Sequence, residues 1–256
     1  MLALLWVAIP TARAEGNDVT TRLQMIAAGM LPGYLPASGL PSGLALLPPP
    51  PPADSDAERR DREANALTRS GADAARLELA KRDADSRFPQ VTRSFACVLG
   101  VNIGESATPA LYRMMRKTFA DFALATLPVK QQFLRPRPFM INGEASCVPA
   151  DEARLRKDGS YPSGHSAYGF GWGLLLAGLA PEQSEALIRR GIDFGLSREV
   201  CNVHWRSDVE QGRILAAAVF ARLQADAEFR RDLDAARAEL LALRERKTEP
   251  PADCLR

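Results

Sequence analysis

Apolar residues recur along most of this chain at the three-to-four spacing that gives a helix one buried face. The clearest case follows Thr108-Pro109, where Leu111, Met114, Met115, Phe119, Phe122 and Leu124 mark one stripe. Pro128 is expected to end or kink that helix near Leu127, with a further turn running to Leu134 before Pro136. Residues 167–180 are apolar all round and read as a buried helix entered through Gly159-Ser160-Tyr161-Pro162-Ser163-Gly164-His165-Ser166, with Pro162 suited to its first turn. Further helices are expected over 181–197 (Ala186, Leu187, Ile192 and Leu196 inward), 204–224 (Ile214, Leu215, Val219, Leu223) and 228–246 (Leu233, Leu240, Leu241, Leu243). Residues 88–98 form a short packed helix. Residues 54–83 are helical but polar nearly all round, capped by Asp54-Ser55-Asp56 and breaking near Ser70-Gly71. The mixed charges of 54–61 read as a solvated face, and 137–152 as a loop. Strand signals are nearly absent. The reading is all-α, a single-domain helical bundle around a central apolar helix.

Two terminal regions stand apart. Glycine and proline recur over 29–52 and end in the run Pro48 to Pro52, which is confined to polyproline II. Residues 15–53 are therefore expected to form an extended Pro-rich strap, ahead of a helical domain over 54–247 and a tail over 248–256. Residues 2–10 are apolar and lead to Ala12-Arg13-Ala14, a small-x-small cleavage pattern. Residues 1–14 are thus expected to be a signal peptide and the protein periplasmic or secreted, although no basic residue precedes Leu2. The apolar run 167–180 is too short and glycine-rich to span a bilayer.

Composition changes the picture little. A formal net charge of +2 with no dense basic stripe points away from a nucleic acid polymer. Cys97, Cys147, Cys201 and Cys254 show no C-x-x-C spacing, which argues against zinc; they allow three disulfide connectivities, or four buried thiols.

The candidate chemistry is concentrated in few residues. His165 and His204 are the two histidines of the chain. His165 adjoins a helix N-terminus built from Ser163 and Gly164, whose uncovered N–H groups favour an anion. His204 and Asp208 stand four apart at the start of an expected helix, where the carboxylate can fix the imidazole's tautomer; an ion pair or a capping Asp fits that spacing equally. Lys130, Arg137 (between Pro136 and Pro138) and Arg198 are the candidate cations for the same anion.

In order, Lys130-x6-Arg137-Pro138, Pro162-Ser163-Gly164-His165 and Ser197-Arg198-x5-His204-x3-Asp208 resemble in full the three-part signature of the type 2 phosphatidic acid phosphatase superfamily, which also holds the vanadium haloperoxidases. Leu44-Ala45-Leu46-Leu47 with the proline run, Arg137-Pro138-Phe139, Gly159-Ser160-Tyr161-Pro162-Ser163-Gly164-His165 and His204-Trp205-x-Ser207-Asp208-Val209 are similar to the bacterial class A non-specific acid phosphatases, over residues 44–240.

That resemblance implies a metal-independent, cofactor-free hydrolysis of small phosphomonoesters. His204 would attack phosphorus and become a phosphohistidine, oriented by Asp208. His165 would protonate the leaving group, while Lys130, Arg137, Ser163, Gly164 and Arg198 held the equatorial oxygens. It further implies an acid pH optimum, vanadate sensitivity and a homo-oligomer, and it allows phosphotransfer to an alcohol. Cys147 and Cys201 flank two segments of the signature and are expected to pair, leaving Cys97 with Cys254. The alternatives are a vanadium-dependent haloperoxidase and a non-catalytic periplasmic binding protein.

Overall fold

The computed structural model describes residues 31–246, 251 and 254; the expected signal peptide and the first half of the strap lie outside them. From residue 31 the chain makes a 3-10 turn (Ala37–Gly39) and a short helix, α1 (Gly43–Leu46). It continues through α2 (Asp56–Ser70), α3 (Ala74–Ala84), α4 (Arg93–Leu99) and the long α5 (Pro109–Phe133). Two short helices, α6 (Pro138–Ile141) and α7 (Glu152–Leu155), precede α8 (Gly164–Leu179), α9 (Ser184–Val200), α10 (Arg206–Leu223) and α11 (Ala227–Glu245). No strand occurs among the described residues.

The apolar helix α8 is the centre of the bundle and packs against α9, α10, α5 and α11. Its Trp172, Leu175, Leu176 and Tyr168 are fully buried among Phe95, Phe119, Phe122 and Phe194. An all-round apolar helix has no face for water, so its neighbours must enclose it. Around it the amphipathic helices turn their stripes inward.

Several sequence expectations need correction. Pro128 neither ends nor kinks α5 into two helices; it is exposed, so the backbone bond it removes is lost on the side where water can replace it. Pro162 is not in the first turn of α8: it follows Tyr161 through a cis peptide, and Ser163 is the N-cap. The 137–152 loop contains α6 and a 3-10 turn. Ala186, Ile214 and Leu241 face outward, while α9 buries Arg190, Ser197, Arg198 and Glu199 instead. The 54–61 stretch is not wholly solvated, because Asp61 is buried.

The strap is held by polar contacts from the bundle. Asp121 of α5 accepts the N–H groups of Tyr34 and Leu35, each at 3.0 Å, and Tyr161 donates its hydroxyl to the Pro48 carbonyl at 2.5 Å. Burial pushes the Asp121 carboxyl up to about 7 even though both N–H bonds pull it down. Gly33 is required by this contact, since a Cβ there would lie 2.1 Å from Asp121 Oδ1. Gly33→Ala is accordingly expected to cost about 1–3 kcal/mol, seen in calorimetry as a melting point roughly 2–12 °C lower. An unchanged melting point would show that the close approach of Gly33 to Asp121 adds nothing to the fold. Disulfides join Cys97 to Cys254 and Cys147 to Cys201, the expected pairing.

Candidate active site

Three regions far apart in sequence meet at one end of α8. From α5, Lys130 reaches inward and donates to the Gly159 carbonyl at 2.6 Å, with Asp158 at 3.6 Å. Gly159 is needed for that approach, because a Cβ would sit 2.6 Å from the Lys130 carbonyl oxygen. Burial pulls the Lys130 ammonium down to about 8, against the opposing pull of Asp158.

Beyond α5 the Arg135-Pro136-Arg137-Pro138 stretch sends its two guanidiniums to different tasks. Arg137 is 2% exposed and donates to the carbonyls of Leu155 and Val203 at 3.0 Å, to Asp158 at 3.1 Å and, through Nη1, to His204 Nε2 at 3.2 Å. Arg135 lies behind the site, bonded to Asp208 at 2.6 Å, to Asp61 at 2.7 Å and to the Ser207 hydroxyl at 2.8 Å. The polar helix α2 thus docks through Asp61, which also accepts the Ser207 N–H and hydroxyl.

His204 is not inside a helix. It lies in the turn before α10, one residue ahead of the N-cap Trp205. Asp208, at the third position of α10, caps Trp205 N–H at 2.9 Å and stands 3.4 Å from His204 Nδ1, a long bond. Arg137 can only donate, so His204 Nε2 must accept and the ring proton belongs on Nδ1. Burial, then Arg137, Lys130 and Arg198, hold this imidazole well below its ordinary range. The product is a neutral ring with a lone pair on Nε2.

His165 opens α8. Its ring lies against Tyr168 and Phe194, and its Nε2 is 3.2 Å from Ser86 Oγ and 3.3 Å from the Ala84 carbonyl. Burial depresses its basicity as well, helped by Arg198 and His204. Arg198, in the last turn of α9, is 3% exposed, and its Nε and Nη1 have no hydrogen-bond partner. Burial brings that guanidinium down to about 10.

Lys130, Arg137, Gly164, His165, Arg198 and His204 line one cavity of about 600 Å³. Ser163 and Asp208 do not line it. Ser163 is fully buried and accepts the Ser166 N–H at 3.2 Å as the α8 cap, while Asp208 stands behind His204. Sequence reasoning missed Arg135, Asp61, Asp158, Ala84 and Ser86. Only the Arg-Pro repeat carried any sign of the first; the others lie on polar stretches with no distinguishing spacing.

A cavity holding three buried cations and two neutral imidazoles suits a tetrahedral oxyanion. The family model described as PAP2 superfamily matches residues 106–231, which hold every cation and imidazole of the cavity. A non-specific acid phosphatase of Salmonella typhimurium is 41% identical over 196 residues, 76% of this chain and 78% of the relative. This chain belongs to the PAP2 superfamily. Within it, the chain groups with the non-specific acid phosphatases. The Providencia stuartii enzyme of that name is 35% identical over 94% of this chain and 93% of its own. An acid phosphatase of Zymomonas mobilis subsp. mobilis is 37% identical over 77% of this chain and 75% of its own. The protein is therefore a phosphatase of the PAP2 superfamily, and its candidate site lies within the matched region. No helix among the described residues is long and apolar enough to cross a membrane.

Proposed function

We propose that this phosphatase hydrolyses small organic phosphomonoesters through a phosphohistidine on His204. The observation that carries the reading is Arg198, a buried guanidinium with no ion-pair partner among the described residues, sharing one cavity with a neutral imidazole whose Nε2 lone pair faces Arg137 Nη1 and comes free when phosphate oxygens take that guanidinium. A phosphoryl group supplies the charge that Arg198 lacks and the electrophile that Nε2 requires.

In this mechanism Lys130, Arg137 and Arg198, with the Gly164 end of α8, hold the non-bridging oxygens, while the Ser163 hydroxyl caps that helix end behind them. Asp158 now engages Arg137 and Lys130 and yields to the substrate oxygens. His204 Nε2 attacks phosphorus in line with the departing oxygen. Asp208 accepts from Nδ1–H and stabilises the imidazolium, itself steadied by Arg135. His165 gives its proton to the leaving alkoxide and then takes one from the water that hydrolyses the phosphohistidine. An alcohol in place of that water gives phosphotransfer. Action outside the cytoplasm fits two disulfides in a chain of this size.

The test is rapid mixing with ³²P-labelled p-nitrophenyl phosphate followed by an alkaline quench, with and without EDTA. An alkali-stable, acid-labile labelled protein is expected in both samples. Turnover with no label on the protein would overturn the phosphohistidine, and loss of turnover in EDTA would overturn the reliance on protein cations.

A further inference from the structure

The turn after α3 lies outside the three signature segments yet holds one edge of His165. The Ala84 carbonyl is 3.3 Å from Nε2, and Ser86 Oγ is 3.2 Å from Nε2 and 3.1 Å from the Tyr168 hydroxyl. A carbonyl only accepts, so the neutral ring carries its proton on Nε2. Ser86 then accepts from Nε2–H and passes its own hydrogen to Tyr168, leaving Nδ1 as the basic nitrogen. The turn is not free to drift. Asp83, buried just before it, takes hydrogen bonds from Ser94 at 3.0 Å, from Ser197 at 2.6 Å and from Arg190. Arg190 in turn lies over the ring of Phe194, which stacks on His165.

We infer that Ser86, with the Ala84 carbonyl, is the positioning pair of His165: it holds Nε2–H so that Nδ1 is the nitrogen that gains and loses the catalytic proton. This rests on His165 being the general acid proposed above. The P–O electron pair stays on the leaving oxygen, which takes the proton from Nδ1. His165 is left neutral, with Nε2–H still on the turn. Water attacking the phosphohistidine then returns a proton to Nδ1. Arg198 from α9, His204 from the turn before α10 and Arg154 from α7 all oppose a charge on this ring, and Tyr168 stands beside it. Ser86 and Ala84 are the acceptors that counter them.

With two histidines in the chain, ¹⁵N NMR of the imidazoles reads the tautomers directly. The free protein is expected to show His165 as the Nε2–H form, and Ser86→Ala to show a tautomer mixture. Removing an acceptor from the imidazolium lowers its basicity, so the alkaline limb of kcat in Ser86→Ala moves down by about one pH unit. Its rate falls about tenfold more for an alkyl phosphate than for p-nitrophenyl phosphate, whose leaving group needs little proton help. Ser86→Thr restores both. An Nδ1–H tautomer in the wild type overturns the inference. So does an equal loss on both substrates with an unmoved pH limb, the mark of a merely structural residue. If His165→Ala shows no dependence on the leaving group, the acid assignment itself has failed; if only Ser86→Ala lacks it, Ser86 falls and His165 stands.

Discussion

His204→Ala is expected to lower kcat/KM for p-nitrophenyl phosphate by roughly 10⁴-fold or more and to abolish the labelled intermediate. His165→Ala is expected to lose about 10²–10⁴-fold on an alkyl phosphate and far less on the nitrophenyl ester. The two variants therefore separate on a single plate of substrates: one is dead on all of them, the other only on poor leaving groups. The asymmetry follows from the geometry. Arg137 Nη1 fixes the lone pair of His204 on Nε2, whereas the turn at Ala84 and Ser86 holds Nε2 of His165. Equal residual activity of both variants on both substrates would refute the division of roles.

The pH dependence follows from the same burial. Both imidazoles are held below their ordinary range in the free protein, first by desolvation and then by the surrounding cations. A group whose folded value is depressed binds fewer protons in the native than in the unfolded state. Its contribution is therefore intact above the unfolded value of about 6.5 and is lost as pH falls through the folded one. The free protein thus loses stability on the acid side. A bound phosphate dianion offsets the cations and restores the proton on His165, so inorganic phosphate raises the melting point more in mildly acid than in mildly alkaline buffer. For turnover the same depression places the summit below neutrality, because His165 charges only there while His204 must still be neutral.

What could be read from sequence divides along physical lines. The helices with an apolar stripe, such as α5 and α8, are legible because burial imposes their period. Lys130, Arg137, His165, Arg198 and His204 are legible because their spacing repeats a signature. The α2 helix shows neither: its cap and its break at Ser70-Gly71 mark it as helical, but its docking is hidden, since it is made through Asp61 on Arg135 and Ser207 rather than through an apolar face. Ser86 was hidden for a related reason: its partner is one nitrogen of a residue 79 positions away, and no periodicity encodes that. The helical start assigned to His204 failed because Asp208 spends its carboxylate on capping Trp205, which places His204 just outside α10. The same Asp208 oxygen stands 3.4 Å from His204 Nδ1.

Arg198→Met should move activity and stability in opposite directions. Arg198 is almost wholly buried, two of its nitrogens are unpartnered, and no carboxylate among the described residues forms an ion pair with it. Arg137 works against its charge, and Tyr168, Asp83 and Asp151 support it without outweighing the cost of burial. A buried charge with no paired carboxylate costs several kcal/mol, and an apolar side chain of similar length removes that cost. The free variant is therefore expected to melt higher than the wild type. Its kcat/KM should fall by about 10²–10³-fold, because the guanidinium's full value is realised only against the charge of the transferring phosphoryl group. The wild type recovers its deficit when phosphate binds, so phosphate or vanadate should raise its melting point and leave that of Arg198→Met nearly unchanged. A variant that loses stability and activity together would mean that Arg198 holds the fold rather than the phosphate, and the anion site would then have to be rebuilt around Lys130 and Arg137 alone.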